Sequence, residues 1–319
     1  MSRGPSALLI VIVNYRTAGL TIDCLRSLQA EVGALPEARV VVVDSASGDD
    51  SVGRLATAIS QHGWEGWARV QPLAHNGGFA AGNNAAIRPA LRGTAPPRFV
   101  LLLNPDTIVR PGALGALVEF MESRPEVGIA GPRLEEADGT PQRSAFRFHS
   151  IWSELEGGLR LGLATRLLAR WVAAPPVPEG PGPADWVSGA CLLVRREVFE
   201  AIGLLDEGYF MYYEEVDFCR RARRAGWPCW YVPQARVVHL VGQSTGIGRR
   251  TRRPAYWFRS RRRYFLVHHG PVSTLLADLA WSLGFATFRV RQVVQRKPDH
   301  DPPRLLRDFL RHNFLRAGR

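Results

Sequence analysis

Short, continuously apolar runs alternate with helix-like segments through the first part of this 319-residue chain. Residues 8–13, 40–43 and 99–103 are such runs, which is typical of strands buried on both faces of a sheet. Further strands are predicted for residues 68–73 and 186–194. Helices are predicted from Thr21 onward and over residues 51–61, 82–91 and 111–123. The alternation predicts an α/β fold, with a mainly parallel sheet covered by helices on both sides.

Polar residues follow three of the predicted strands at the point where each strand ends. Asn14 follows the first strand, Asp44 ends the second, and Asn104, Pro105 and Asp106 follow the third. Because ligands bind beside the carboxyl ends of parallel strands, these residues predict a site at one edge of the sheet. Each also has a purely structural interpretation: Asn-Pro-Asp is favourable turn chemistry, and Asp44 could cap a helix or close an Asx turn.

The chemistry of these side chains points to a charged ligand. A carboxylate such as Asp106 suits a hard divalent cation, which would also bind diphosphate oxygens. Asp44 could accept hydrogen bonds from a pyrimidine base or from ribose hydroxyls. His239 ends the strand-like residues 235–238 and could bind a metal or a phosphate, although a single histidine is as often structural.

Residues 75–84 form a loop with three glycines and three asparagines. Such a loop lets the backbone approach a ligand and supplies neutral hydrogen-bonding groups, as sugars and nucleosides require. It matches neither the dinucleotide-binding nor the P-loop glycine pattern, and no such pattern follows Val13. A nicotinamide-dependent oxidoreductase and a P-loop nucleotidase are therefore disfavoured.

An acidic and aromatic segment lies at residues 209–217. Its carboxylates Glu214, Glu215 and Asp217 fall within four positions. Such a cluster is costly unless it binds a ligand or takes part in acid–base chemistry. The alternative is a solvated helix start, where acidic residues are favoured.

The chain carries a formal net charge of +12, which favours an anionic partner such as nucleic acid, a membrane surface or a phosphorylated substrate. The densest basic stretch, residues 249–263, lies outside the segments that hold the motifs. Nucleic-acid binding, which rests on charge alone, is therefore disfavoured and no nucleic-acid partner is expected. The four cysteines have neither zinc-site nor disulfide-framework spacing, and no signal peptide is recognised, so a cytoplasmic location is expected.

Together these motifs resemble glycosyltransferase family 2, whose members are inverting enzymes with the GT-A fold, and in particular its bacterial rhamnosyltransferase-like branch. The resemblance covers about residues 7–245. It rests on seven segments, residues 11–15, 42–47, 76–84, 102–106, 186–190, 214–215 and 238–239. It implies a Rossmann-like, nucleotide-sugar-binding mixed sheet flanked by helices, followed by a basic helical C-terminal extension.

The resemblance also implies roles for individual residues. Those for nucleotide-sugar binding are Val13, Asn14, Tyr15, Asp44, Ser45, Asn76, Gly78, Asn83 and Asn104. Those for the acceptor or sugar are Trp186, Ser188 and Gly189. Asp106 and His239 would hold Mg²⁺ or Mn²⁺, with Asn104 in place of the first acid of the family's D-x-D motif. Glu215 stands where relatives have an aspartate as general base, and Glu214 and Asp217 are the alternatives.

The implied activity is transfer of a sugar, L-rhamnose from dTDP-rhamnose, to a glycan or lipid-linked acceptor in cell-surface polysaccharide synthesis. Residues 1–248 would form the catalytic domain, with a donor-binding half over 1–135 and an acceptor-binding half over 136–248. The alternative is a glycosyltransferase-like protein without catalysis, which the glutamate at position 215 keeps open.

Residues 249–319 are expected to form a basic helical region. Within it residues 271–288 are mostly apolar, which predicts either a helix in the membrane interface or an ordinary buried helix. The interfacial alternative implies contact with the inner membrane surface and a peripheral location on its cytoplasmic face. Arg249 and Arg250 could close over the diphosphate as a lid. Residues 151–185 are predicted to be an exposed connection, rich in proline and glycine near its end.

Overall fold

The computed structural model describes residues 8–35, 37–242 and 252–315. The predicted lid residues Arg249 and Arg250 lie outside the described residues. The strands are β1 (Leu8–Asn14), β2 (Arg39–Asp44), β3 (Ala68–Pro72), β4 (Phe99–Leu103), β5 (Thr107–Val109), β6 (Ile129–Glu135), β7 (Ala145–Phe146), β8 (Gly182–Ala184), β9 (Trp186–Val187), β10 (Cys191–Arg195) and β11 (Cys229–His239). The helices are α1 (Ala18–Ala34), α2 (Ser51–Gln61), α3 (Gly78–Arg92), α4 (Ala113–Ser123), α5 (Ile151–Leu159), α6 (Gly162–Leu167), α7 (Arg196–Ile202), α8 (Glu214–Arg224), α9 (Ala255–Val294) and α10 (Leu305–Leu310), with short turns at Ala169–Trp171 and Arg311–Leu315.

The main sheet has the strand order β3-β2-β1-β4-β10-β6-β11-β5, and β8 pairs with β11. Strands β3, β2, β1 and β4 are parallel, whereas β10 runs antiparallel between β4 and β6. The sheet is therefore mixed, as the family resemblance implies, and its first half is parallel, as the strand–helix alternation predicts.

Helices cover both faces of this sheet. In β1, Leu8, Ile10 and Ile12 pack on one side with α1, α2 and α4, while Leu9 and Val11 pack on the other with α3, α7 and α8. Every residue of β4 and β10 is buried. Because side chains alternate between faces along a strand, only a strand covered on both sides can be apolar at every position.

The register of the parallel strands brings their polar ends together. Asn14 lies opposite Asp44 across β1 and β2. Ile12 pairs with Leu103 across β1 and β4, so that Asn104 begins the loop beside the end of β1. The strand ends therefore meet at one edge of the sheet.

Two sequence predictions of local structure are wrong. Residues 186–194 are not one strand, because Ser188, Gly189 and Ala190 turn the chain between β9 and β10. Residues 151–185 are not only a connection, since α5 occupies the first nine of them. Its N-terminus is capped by Ser150, whose Oγ accepts a hydrogen bond from the Ser153 amide.

Helix α5 packs against the long helix α9, which changes direction at Gly270, where φ is 78° and ψ is 172°. Two glycines permit the close approach of these helices. A Cβ on Gly158 would lie 2.7 Å from the Trp281 carbonyl oxygen, and a Cβ on Gly284 would lie 2.9 Å from that of Leu155. Within residues 8–35, 37–242 and 252–315, no helix combines the length and apolar composition needed to cross a bilayer.

An ion-pair cluster is buried in this interface. Arg261 is 1% exposed and donates hydrogen bonds to Glu154 at 2.8 Å and to Asp278 at 2.5 Å. Both carboxylates are also buried. The cluster therefore ties α9 to α5 through charges that have little access to water.

We predict that Arg261→Met lowers the free energy of unfolding by about 3–5 kcal/mol, because it removes the buried cation that pairs with both Glu154 and Asp278. Urea denaturation measures this change. The matched control is Arg26→Met, since Arg26 forms an exposed ion pair with Asp23, and its loss should cost roughly 0–1 kcal/mol. Equal losses in the two variants would contradict the assignment of a structural role to the buried cluster.

Candidate functional site

A cavity of about 790 Å³ opens at the edge of the sheet where β1 and β4 end. Twelve of the residues proposed from the sequence line it, namely Val13, Tyr15, Ser45, Asn76, Gly78, Asn104, Asp106, Ser188, Gly189, Glu214, Glu215 and His239. Its volume lies within the range of roughly 300–1,000 Å³ that is usual for small-molecule sites. The structure therefore gathers widely separated segments of sequence around one ligand-sized space.

Asp106 and His239 face each other in this cavity. The side chain of Asp106 is buried, and its Oδ1 lies 3.7 Å from Nε2 of His239. The pairing of β5 with β11 sets this arrangement, because His239 is in register with Thr107 and the Leu240 amide donates to the Asp106 carbonyl. Burial lowers the pKa of His239, although the Asp106 carboxylate opposes that shift.

A carboxylate beside a neutral imidazole is a donor set that divalent cations accept. No group of three or more histidine, cysteine, aspartate or glutamate side chains suited to a metal occurs in the part of the chain that the structure describes. Two protein ligands leave most coordination positions for a substrate or water. The residues present therefore fit a metal that is shared with a ligand.

Asn14 and Asp44 do not line the cavity; they lie buried behind its wall. Asp44 accepts hydrogen bonds from Asn14 Nδ2 at 2.7 Å, from Ser47 Oγ at 2.6 Å and from the Ser47 amide at 3.0 Å. Thr21 donates to Asn14 Oδ1 at 2.9 Å. The Ser47 amide lies three residues after Asp44, one position beyond the amide that would close the Asx turn considered as the structural alternative for Asp44. In this structure the pair supports the cavity wall that Ser45 and Tyr15 form.

Arg16 lines the same wall and was not among the residues singled out from the sequence. It has a positive φ of 57°, and Ser47 holds its backbone amide at 2.9 Å and its Nε at 2.8 Å. In the sequence, the signal for Arg16 was a positively charged residue directly after Asn14 and Tyr15. The other lining residues without a role assigned from the sequence are Thr17, Val241, Gly242 and Tyr256, and Phe79, Pro105, Ala190, Phe210, Met211 and Tyr212, which lie within the segments that the sequence singled out.

The loop rich in glycine and asparagine touches the acidic segment directly. Gly78 has a φ of 86°, and a Cβ built on it would lie 1.9 Å from the carbonyl oxygen of Phe210. That same oxygen accepts a hydrogen bond from the Phe79 amide at 2.8 Å. Asn76 Oδ1 accepts a hydrogen bond from the Gly78 amide. Asn83 is buried outside the cavity, and its Nδ2 donates a hydrogen bond to the Phe79 carbonyl.

Two consecutive tyrosines in a strained backbone conformation directly precede the acidic pair, Glu214 and Glu215. Tyr212 and Tyr213 each have a φ of 69°, which is unfavourable for bulky side chains, and α8 begins immediately after them. Glu214 and Glu215 thereby reach the cavity. The Oε2 atom of each finds no hydrogen-bond partner among the residues that the structure describes.

Burial raises the pKa of both carboxyls, and the charge of Glu215 raises that of Glu214 further. Glu214 is fully buried, whereas Glu215 is half-buried. Glu215 packs against Gly189, where a Cβ would come within 3.5 Å of the Cβ of Glu215. The two acids are thus held together in a poorly hydrated corner, a setting typical of acid–base groups.

Asp217 and Trp186 do not line the cavity. Asp217 pairs with His268 at 2.7 Å and with Arg221 at 2.8 Å. Burial raises the pKa of Asp217, but these two partners more than offset it and hold the pKa below its usual value. Trp186 stacks on Phe146 at 4.2 Å between ring centroids. Of the three candidate bases, Glu214 and Glu215 are therefore the two that line the cavity.

We predict that Gly78→Ala lowers the free energy of unfolding by at least about 2 kcal/mol, because the new methyl group must displace the backbone of Phe210. The control is Gly115→Ala in α4, where a Cβ meets no atom within 4 Å and should be neutral or stabilising. Chemical denaturation of both variants measures the difference. A wild-type stability for Gly78→Ala would contradict the close approach described here.

A model of the family described as "Glycosyltransferase like family 2" matches residues 5–265 of the chain. The N-acetylglucosaminyl-diphospho-decaprenol L-rhamnosyltransferase of Mycobacterium tuberculosis is 35% identical over 184 residues, which cover 56% of this chain and 55% of that protein. The dTDP-rhamnosyl transferase RfbF of Shigella flexneri is 25% identical over 284 residues, which cover 86% and 84%. The chain thus spans about half the length of the mycobacterial relative.

The fold is similar to that of the mannosyltransferase PcManGT from Pyrobaculum calidifontis, solved in complex with GDP-Man and Mn²⁺. The TM-score is 0.56 at 17% identity, and the match covers 94% of this chain and 79% of that one. At this identity the likeness concerns the fold alone, which is GT-A. With the match to the family over residues 5–265, it follows that the chain belongs to glycosyltransferase-like family 2, in its rhamnosyltransferase-like branch.

Proposed function

We propose that this chain is an inverting glycosyltransferase that transfers L-rhamnose from dTDP-rhamnose to a glycan or lipid-linked acceptor in cell-surface polysaccharide synthesis. The observation that carries the proposal is the joint presence of the Asp106–His239 pair and the Glu214–Glu215 pair in one cavity. The first pair suits an anionic, metal-bound donor and the second suits proton removal from an acceptor. Metal-assisted, inverting transfer of a sugar uses both.

Asp106 and His239 are proposed to hold Mg²⁺ or Mn²⁺ together with the diphosphate of the donor. When bound there, the cation would neutralise negative charge on the departing nucleotide diphosphate. The low pKa of His239 keeps its imidazole neutral and therefore able to act as a ligand. Arg16, at the cavity wall, adds a positive charge on the side of the strand ends.

Glu215 is proposed as the general base. Of the two coupled carboxyls, fully buried Glu214 has its pKa raised well above the usual range, so that it retains the proton that the pair shares. Glu215, which is less buried and also lines the cavity, then carries the negative charge of the pair. A raised pKa also makes Glu215 a stronger base than an ordinary carboxylate once it is ionised.

The reaction is a single in-line displacement. Glu215 accepts the proton of the acceptor hydroxyl as that oxygen forms a bond to the anomeric carbon. The bond between the anomeric carbon and the diphosphate oxygen breaks, and its electron pair leaves with the nucleotide diphosphate. Because attack occurs opposite the leaving group, the anomeric configuration inverts.

The relatives support the choice of donor and acceptor. Both are named as rhamnosyltransferases, one of them for a dTDP-linked donor and one for a diphospho-decaprenol acceptor. We assign donor binding to residues 1–135 and acceptor binding to residues 136–248. The four cysteines are all free and buried, which supports a reducing, cytoplasmic setting for the reaction.

We predict that Glu215→Gln lowers kcat by about 10²- to 10⁴-fold while donor affinity stays within about twofold, because only proton removal is lost. Transfer is measured with a panel of nucleotide sugars and N-acetylglucosamine linked to a polyprenyl diphosphate. In the wild type, kcat should rise with pH through a pKa above 4.5, since only ionised Glu215 is active and its pKa is raised.

The matched control is Glu214→Gln, which keeps a neutral side chain at the same corner and should retain most of the activity. A loss in Glu214→Gln with normal turnover in Glu215→Gln would reverse the assignment. Donor binding without transfer to any acceptor by the wild type would instead indicate a glycosyltransferase-like protein without catalysis.

A further inference from the structure

The outer face of the second half of α9 is apolar and open to solvent. Val272, Leu276, Leu279, Leu283 and Val290 are 71%, 47%, 49%, 65% and 67% exposed. They recur every three or four residues, with one longer step, and therefore lie along one side of the helix. We call these five residues the α9 stripe.

This part of α9 exposes mainly apolar side chains, unlike an ordinary surface helix, whose outer face is polar. Its buried side chains include polar Thr274, Asp278 and Gln292, whereas its exposed ones are apolar except for Thr287. Asp278 is the only charged residue between positions 272 and 288, and it is buried against Arg261. A contiguous apolar strip without exposed charge indicates a surface that another apolar phase covers.

The charge around the strip identifies that phase. Residues 252–315 contain thirteen arginines and lysines against four aspartates, a net formal charge of +9. Arg296 and Lys297 are exposed just beyond the end of the strip. Pairing two copies through this face would bring two such basic regions together, which is unfavourable. An anionic lipid surface offers both the opposite charge and an apolar layer.

A second exposed apolar segment lies beside the first. Leu163 and Leu167 of α6 are 63% and 73% exposed. Arg291 of α9 donates hydrogen bonds to the carbonyls of Leu159 and Arg160, which places the start of α6 next to the C-terminal half of α9. Exposed apolar side chains are thus present on two neighbouring helices in this region.

We propose that the α9 stripe lies in the interface of an anionic lipid bilayer, parallel to the membrane plane, with Arg296 and Lys297 at the headgroups. This chooses the interfacial alternative that the sequence of residues 271–288 left open. The same helix contributes Tyr256 to the cavity, 5.3 Å between ring centroids from Phe210. If the proposed function holds, docking of α9 brings the cavity to the membrane where a lipid-linked acceptor resides.

The test is flotation of the full chain with phosphatidylcholine vesicles, with and without phosphatidylglycerol, in the absence of nucleotide sugar. We expect binding to anionic vesicles about tenfold or more tighter than to neutral ones, and weaker binding at high salt. The variant Leu276→Gln/Leu279→Gln/Leu283→Gln should weaken binding by roughly a hundredfold, because three leucines lose their transfer free energy. Since vesicle binding needs no transfer, its failure is separate from failure of the proposed function.

The matched control replaces the same three leucines with methionine, which keeps the face apolar and should bind like the wild type. Thermal unfolding shows whether the triple glutamine variant remains folded. The single variant Leu283→Gln tests the same face with a smaller change. Absence of wild-type binding to anionic vesicles, or unchanged binding of the glutamine variants, overturns the proposal. So does a wild-type dimer that dissociates in the triple variant while vesicle binding is unaffected, because a second copy then covers the face.

Discussion

The contact between Gly78 and the Phe210 carbonyl joins the two halves of the site. It fixes the loop that follows β3 against the segment that precedes α8, and the Phe79 amide adds a hydrogen bond to the same oxygen. Tyr212 and Tyr213 can keep their unfavourable backbone conformation only because their surroundings hold it. Together with the packing of Glu215 on Gly189, this contact fixes the position of the acidic pair relative to the ends of β1 and β4.

The three neighbouring acids at the start of α8 have different pKa values because their side chains have different surroundings. Glu214, Glu215 and Asp217 lie within four residues, yet α8 turns Asp217 toward Arg221 and His268 while the other two face the cavity. The first two therefore have raised pKa values and the third a lowered one. We propose Glu215 rather than Glu214 as the base because Glu215 is the less buried of the two.

Much of the fold could be predicted from periodicity alone, because strands such as β4 are apolar at every position and end in polar residues. The family resemblance supplied the mixed sheet and most of the lining residues. Other features depend on contacts between distant segments, which a local pattern does not reveal. The helical character of residues 151–159 comes from packing on α9 and from the Ser150 cap. The burial of Asp44 behind the cavity depends on Ser47 and Asn14 together, and the contribution of Tyr256 depends on the path of the C-terminal helix.

We propose that Asp106 and His239 hold a divalent cation together with a nucleotide-sugar diphosphate. In the direct test, dTDP-rhamnose and other nucleotide sugars are titrated calorimetrically into the wild type and into Asp106→Asn. Each titration is carried out with and without Mg²⁺ or Mn²⁺, and the donor affinities are compared. The cation should tighten donor binding to the wild type by about tenfold or more, and this gain should be lost in Asp106→Asn while the fold is retained. Equal donor affinity with and without the cation in the wild type, for every nucleotide sugar tried, would contradict it.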